Sequence, residues 1–158
     1  PRDVSFLVLA RLARRGWVPA IGRVAQQVSL IHVRDLAEAI VAASESDRTI
    51  GCTYYVAHPE ITDWESLGRL IAARLGRRVR RLRIPRRGIP AVGRIAGIAA
   101  TLTGLPNGLP PDRLADLLAP AWVCSAARAE ADFGFRARID ALTGFAETVD
   151  WYRAEGLL

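Results

Sequence analysis

The order in which helices and strands follow one another constrains this fold more than any other feature of the sequence. Short β-rich segments at residues 28–33, 52–57 and 77–87 each lie between segments with the apolar spacing of a helix. Strands joined through helices run parallel, and parallel strands need neighbouring strands and a helical cover on both faces. The sequence therefore predicts an α/β fold with a mostly helical second half, and we expect further partner strands upstream of Pro1.

Capping signals predict where several helices begin. Asp35 and Glu38 form one capping box, and Thr62 and Glu65 form a second. Asp35 is therefore assigned a structural role rather than that of a catalytic acid. Ser125 is predicted to cap a short helix in the second half. The last helix is predicted to bury one stripe of side chains, formed by Leu142, Phe145, Ala146, Val149 and Tyr152.

The basic side chains exclude several kinds of chemistry, because all 22 of them are arginine. Without lysine the chain cannot supply a Schiff-base lysine, a phosphate-loop lysine or a Tyr-x-x-x-Lys pair. Cys52 and Cys124 lack C-x-x-C spacing, so the sequence predicts neither a metal site nor a disulfide framework, and we expect a reducing, cytoplasmic compartment. The chain begins with Pro1 and contains no methionine, so we expect a fragment of a longer protein.

Arginine is concentrated in one part of the chain. Residues 66–111 contain ten arginines and no acid, and this segment accounts for the positive net charge of +6. We expect no nucleic-acid partner, because no aromatic side chain stands between these arginines to stack on a base. Peripheral contact with an anionic membrane, through the segment that begins at Arg69 and ends at Arg94, stays open as an alternative.

The centre of this segment, residues 77–87, is typical of a short strand. Val79, Leu82 and Ile84 are predicted to be buried, and the arginines between them are predicted to face solvent.

Six stretches of sequence carry a resemblance to a known family. They are PRD at 1–3, SLIHVRDLAEA at 29–39, GCTYYV at 51–56 with WESL at 64–67, SAARA at 125–129, FGF at 133–135 and ETVDWY at 147–152. In this order they resemble the C-terminal half of an extended short-chain dehydrogenase/reductase, of the NAD-dependent epimerase/dehydratase family. The resemblance covers nearly the whole chain.

This resemblance implies the domain organisation and the cofactor. Residues 1–158 would be a C-terminal fragment, in which the last Rossmann strands and helices interleave with a substrate-binding lobe. The N-terminal dinucleotide-binding part, which holds NAD or NADP at a glycine-rich turn and carries the Tyr-x-x-x-Lys dyad, would be absent. The fragment would then contain no catalytic residue and be inactive alone, whereas the full-length protein would be an enzyme and a homodimer.

Departures from the family pattern bear on the substrate. The arginine that clamps a phosphate in sugar-nucleotide epimerases is Val28 here, and the Asp-x-x-Lys stretch is changed to Ser125 and Arg128. Residues 89–105, in the lobe that would cover the substrate, are apolar. The resemblance thus implies an apolar carbonyl or hydroxyl compound, as in steroid dehydrogenases or flavonol reductases. A nucleotide-sugar epimerase or dehydratase stays open, as do a non-catalytic relative and a basic interaction module.

The same alignment gives four candidate substrate-binding residues. Arg2 follows the absent strand, Gln27 precedes the strand at 28–33, and His32 takes the family's aromatic position within that strand. Trp122 follows Pro120 in a loop and can close the pocket. The competing interpretations are a core histidine for His32, solvent exposure for Arg2 and Gln27, and core packing for Trp122.

Overall fold

The computed structural model describes residues 4–22, 25–89, 91 and 119–158, so Arg2 and most of the apolar stretch at residues 89–105 lie outside the described residues. Five α-helices are described: α1 (Val4–Arg14), α2 (Val33–Ser44), α3 (Trp64–Arg74), α4 (Ala127–Phe133) and α5 (Ala141–Ala154). Five short strands accompany them: β1 (Trp17–Ile21), β2 (Gln27–Ser29), β3 (Ile61–Asp63), β4 (Arg80–Ile84) and β5 (Ala121–Trp122). The predicted α/β class is confirmed.

The strands form two small sheets. β1 and β4 run parallel, in a register that pairs Trp17 with Arg80 and Ile21 with Ile84. β2 lies between β3, to which it is antiparallel, and β5, to which it is parallel. Each sheet therefore joins an early strand to strands much later in the sequence.

Two apolar cores hold these elements together. The larger core is formed where α1, α3 and α5 pack together with β2, and its buried members are Leu9, Ala10, Ala13, Val28, Leu67, Ile71, Ala72, Val149 and Tyr152. The smaller core joins α2 to α4 and contains Ala39, Ala129, Phe135 and Ala137. The burial of Val28 explains how valine is accommodated where the family has an arginine: this side chain packs into the larger core.

The helix starts differ from the predicted capping boxes. His32, not Asp35, is the N-cap of α2, and Asp63, not Thr62, is the N-cap of α3. Asp63 accepts hydrogen bonds from the backbone N–H groups of Glu65 and Ser66, at 2.9 and 3.0 Å. Both predictions located a helix correctly but assigned its N-cap to the wrong residue. Neighbouring polar residues can serve as caps almost equally well, so the sequence pattern does not decide between them.

Asp35 nevertheless has a structural role. Its side chain is buried, and Oδ2 accepts hydrogen bonds from the backbone N–H groups of Arg138 and Ile139, at 3.1 and 2.9 Å. A buried carboxylate is stabilised by such bonds, which also anchor the start of α2 to the segment before α5.

Ser125 contributes to a helix start without being its cap. The residue at the N-cap of α4 is Ala126, which makes no side-chain capping bond, while Ser125 Oγ accepts from the N–H of Ala127 at 3.2 Å.

Two of the predicted strands differ from the structure, one in its length and the other in not forming among the described residues. The strand predicted at 28–33 ends at Ser29, since the chain turns through Leu30 and Ile31 to begin α2. Residues 52–57 have no strand partner among the described residues, although Leu30 carbonyl accepts a bond from His58 N–H just beyond them, at 2.8 Å. A strand requires a ladder as well as β-forming residues, and that ladder is a property of distant chain segments.

The burial predicted for two leucines was wrong. Leu82 in β4 is 41% exposed and Leu142 in α5 is 60% exposed, whereas Val149 and Tyr152 are buried as predicted. Leu82 lies on the side of its sheet away from the helices, and Leu142 stands in the first turn of α5.

Candidate functional site

A cavity of about 560 Å³ lies at the carboxyl ends of β1 and β4. The last registered pair of the sheet, Ile21 and Ile84, forms part of its wall, with Pro85 and Pro120. Gly22 follows β1 with φ +72° and donates its N–H to the Ile84 carbonyl at 2.9 Å. Carboxyl ends of parallel strands commonly form ligand sites in α/β proteins, so this is the foremost candidate site.

Three arginines, Arg83, Arg86 and Arg87, line the same cavity. Neither Arg83 nor Arg87 forms an ion pair with an acid among the described residues. Arg86 packs its aliphatic stem over Gly22, where an added Cβ would lie 3.2 Å from Arg86 Cγ. The cavity thus combines apolar walls with guanidinium groups that can bind an anion.

A second cavity, of about 480 Å³, adjoins the first and shares Pro120 with it. Gln27, Asp63 and Ala121 line it, and the sheet register places these three residues side by side across β3, β2 and β5. The wall between the cavities is fixed by Gln26, whose Nε2 donates to the Ala119 carbonyl at 2.7 Å.

Gln27 and Trp122 are brought to adjacent strands but not to the same face. Gln27 is registered with Ala121, and Trp122 is registered with Val28. Because successive side chains of a strand alternate, Trp122 projects to the side opposite Gln27. Gln27 lines the second cavity, and Trp122, 55% exposed, is not part of the lining of either cavity. Their roles in substrate binding stay predictions.

His32 lies at the junction of α2 and α5 rather than within a strand. Its Nδ1 accepts a hydrogen bond from the N–H of Arg34 at 3.3 Å, and its Nε2 lies 3.6 Å from a carboxylate oxygen of Glu147. Gly144 leaves room for the ring, because a Cβ there would lie 3.1 Å from His32 Cδ2. These contacts are structural, and His32 lines neither cavity; a role toward substrate stays a prediction.

A polar cluster that the sequence reading did not single out joins α4 to residues 52–54. Tyr54 Oη donates to Asp132 Oδ2 at 2.7 Å, and Arg128 lies over the Tyr54 ring, 4.8 Å from its centroid. Arg128 also contacts Asp132 at 3.3 Å and Cys52 Sγ at 3.3 Å. The (i, i+4) spacing of Arg128 and Asp132 was the available signal for half of this cluster.

This cluster shifts the ionisation of two of its members. The hydrogen bond to Asp132, with a smaller contribution from desolvation, raises the pKa of Tyr54 to about 12. The same bond, together with Arg128, lowers the pKa of the Asp132 carboxyl below its usual range. Tyr54 Oη therefore stays protonated at neutral pH, and its hydrogen bond to Asp132 ties residue 54 to α4.

The sequence lacks the residues that the Rossmann pattern uses at a dinucleotide site. It contains no Gly-x-x-Gly-x-x-Gly turn and no lysine. In the part of the chain that the structure describes, no group of three metal-ligating side chains occurs. Within the same residues, no helix is long and apolar enough to cross a membrane.

Comparison with known proteins found a relative of the whole chain. No protein-family model matches it. The chain is 31% identical, over an alignment 166 positions long, to the ceramide reductase of Caulobacter vibrioides (strain NA1000 / CB15N). The alignment covers 100% of the chain and 49% of that reductase, so the chain spans about half the length of the curated relative it matches.

Solved structures share the fold. The crystal structure of gox2253 superposes with a TM-score of 0.68 at 19% identity, covering 100% of this chain and 47% of that protein. The UDP-glucuronic acid 4-epimerase from Bacillus cereus, solved with NAD, superposes with a TM-score of 0.63 at 12% identity, covering 98% of this chain and 42% of the epimerase.

Short parallel strands interleaved with helices, in this arrangement, define a Rossmann-type extended short-chain dehydrogenase/reductase fold. The chain shares this fold with part of an epimerase solved with NAD, and it is similar in sequence to part of a reductase. The resemblance predicted from the sequence is confirmed.

Proposed function

We propose that the full-length protein is an NAD(P)-dependent oxidoreductase whose substrate is an apolar carbonyl or hydroxyl compound with a long hydrocarbon portion. The chain contributes the substrate lobe, and it is inactive alone because the dinucleotide site and the proton-transfer dyad lie outside it. The observation that carries the proposal is the cavity at the ends of β1 and β4, with Ile21, Ile84 and Pro85 in its wall. The likeness to a ceramide reductase supports the same substrate class.

The chemistry of the cavity wall supports an apolar ligand. Burying an aliphatic chain against isoleucine and proline side chains releases water from both surfaces, which stabilises the complex by about 25 cal/mol for each Å² buried. No side chain of this chain is assigned to the hydride or proton transfer. Its part is to bind and orient the substrate, and NAD use by the full-length protein is supported by the NAD bound to the Bacillus cereus epimerase.

A second candidate is a nucleotide-sugar epimerase or dehydratase. Val28 cannot replace the family's phosphate-binding arginine, since it is buried in the larger core. Arg83, Arg86 and Arg87 nevertheless offer guanidinium groups at the cavity, and these could bind a pyrophosphate from another direction. This observation keeps the nucleotide-sugar reaction as an alternative.

The test is turnover by the full-length protein of a long-chain ketone and a short-chain ketone with NADH or NADPH, and of a UDP-sugar with NAD+. We expect Ile84→Gln to lower kcat/KM for the long-chain ketone by about 10- to 100-fold, and to change that for the short-chain ketone much less. Ile40→Gln, on the exposed side of α2, is the matched control and should leave both values unchanged.

Turnover of the UDP-sugar alone would favour the second candidate. Cofactor binding without turnover of any substrate would instead identify a non-catalytic relative.

A further inference from the structure

The outer face of the β1–β4 sheet carries apolar side chains that the proposed reaction does not use. Val18 and Ala20 of β1 are buried against α1 and α3, so the alternate residues of β1 lie on the other side. The parallel register puts the matching residues of β4 on the same side, because registered residues share a face. That outer face consists of Trp17, Pro19, Ile21, Arg80, Leu82 and Ile84.

Trp17 and Leu82 are the most exposed apolar side chains on this face, at 41% each. Pro19 follows Trp17 on the same face of β1 and is registered with Leu82, so the three side chains form one apolar strip along this face. Tryptophan side chains are enriched where protein meets the headgroup region of a bilayer, since the ring combines an apolar body with an N–H donor.

The outer face is bordered by positive charge. Residues 77–87 contain seven arginines and no acid. Arg77, Arg78 and Arg80, at the start of β4, are exposed and form no ion pair with an acid among the described residues. Val79, between Arg78 and Arg80, packs against the larger core, so these two arginines flank an anchored residue.

We propose that the outer face of the β1–β4 sheet docks on an anionic membrane surface, with Trp17 and Leu82 in the headgroup layer and Arg78 and Arg80 on lipid phosphates. This inference goes beyond the proposed function and does not depend on it. Charge complementarity selects the occupant, since an acid-free basic border is attracted to anionic lipid and is repelled by a second copy of itself.

Docking in this orientation has a consequence for the cavity. Ile21 and Ile84 belong both to the outer face and to the wall of the cavity at the carboxyl ends of the strands. The apolar surface is therefore continuous from the docking face to the cavity, and a docked molecule would hold the cavity mouth close to the lipid.

A nucleic acid is the competing anionic partner, and the side chains of this face favour lipid. Arginine can bind the phosphates of either partner, but contact with a solvated phosphodiester backbone would not bury the apolar side chains of Leu82 and Pro19. Trp17 is a single ring at the far end of the strand pair, without the succession of aromatic side chains on which bases stack.

The experiment is vesicle co-sedimentation of the full-length protein. Vesicles of phosphatidylcholine mixed with phosphatidylserine are compared with vesicles of phosphatidylcholine alone, at low and high salt. We expect binding to the anionic vesicles that weakens steeply with salt. Arg78→Gln/Arg80→Gln should weaken it about 30-fold, from the contribution of two arginines near an anionic surface.

Matched variants separate this site from general electrostatics. Arg48→Gln/Arg138→Gln removes the same charge from two exposed arginines elsewhere, which form no ion pair with a described acid, and should weaken binding by less than about 3-fold. Brominated lipid should quench tryptophan fluorescence in the parent protein, and Trp17→Phe should remove most of that quenching.

Three results would overturn the proposal. One is the absence of binding to anionic vesicles. Another is equal weakening by the two double variants, and the third is unchanged quenching in Trp17→Phe. Salt-sensitive binding to an oligonucleotide without any binding to vesicles would assign the basic border to nucleic acid instead.

Discussion

The two faces of the β1–β4 sheet differ in what covers them. On the helix side, Arg81 Nε forms an ion pair with Glu65 of α3 at 2.9 Å, next to buried Val18 and Ala20. On the outer side of the same strand, the next residue, Leu82, is 41% exposed. The environment of a side chain in this sheet is therefore decided by what covers each face, and not by the polarity of the residue.

The largest expected effect comes from removing a side chain on the helix side. Leu67 of α3 is fully buried in the larger core. Leu67→Ala should lower the free energy of unfolding by about 3 kcal/mol, because it leaves a cavity that the packed helices cannot fill. Leu82→Ala, on the outer side, removes the same atoms and should cost less than about 1 kcal/mol. Urea denaturation measures the free energy of unfolding of both variants. Equal losses would contradict the conclusion that the two faces of the sheet are covered differently.

A smaller effect is expected where α3 approaches the sheet. A Cβ at Gly68 would lie 2.7 Å from Val18 Cγ1, closer than two carbons can pack. Gly68→Ala should therefore destabilise the fold by about 2 kcal/mol, although alanine is the better helix former. Adding Val18→Ala should recover part of that loss, because the contact is then relieved. Additive losses in a thermal-denaturation cycle would show that the helix side is not close-packed here.

The smallest effect concerns the two neighbouring arginines of β4. Arg81→Gln removes the ion pair with Glu65, which Arg69 also contacts, so a loss of at most about 1 kcal/mol is expected. Arg80→Gln should leave the free energy of unfolding within about 0.3 kcal/mol of the parent value. High salt should reduce the difference between the two variants. A larger loss for Arg80→Gln would mean that the outer face is packed in the folded protein.

The fold class could be predicted from sequence because it depends on local periodicity and on the order of elements. Helices α2, α3 and α5 were located by apolar spacing and turn residues, which act within a few positions of each other. The fate of residues 52–57 could not be predicted in this way. Strand pairing depends on a neighbour that the local sequence does not specify, and residues 52–57 form no ladder among the described residues.

The candidate site was less accessible to prediction. The alignment selected Gln27, which lines the second cavity, and it selected His32, whose contacts hold α2 to α5. Ile84 and Arg83 line the main cavity but stood in the sequence only as parts of an arginine-rich strand. Their placement depends on the register of β4 with β1. These two strands are far apart in the sequence, with α3 between them, so no local sequence pattern predicts their pairing.

The carboxylate of Asp35 bears on how the chain acquires its structure during synthesis. The first turn of α2 is completed by backbone amides at positions 138 and 139, more than a hundred residues further along. On the ribosome, therefore, α2 emerges long before the amides that satisfy its buried acid exist. Such a distant closure adds a large loop entropy to the folding barrier. The aspartate is left to water until residues 138 and 139 have been made, so the hydrogen bonds that anchor α2 form only after the segment before α5 has been synthesised.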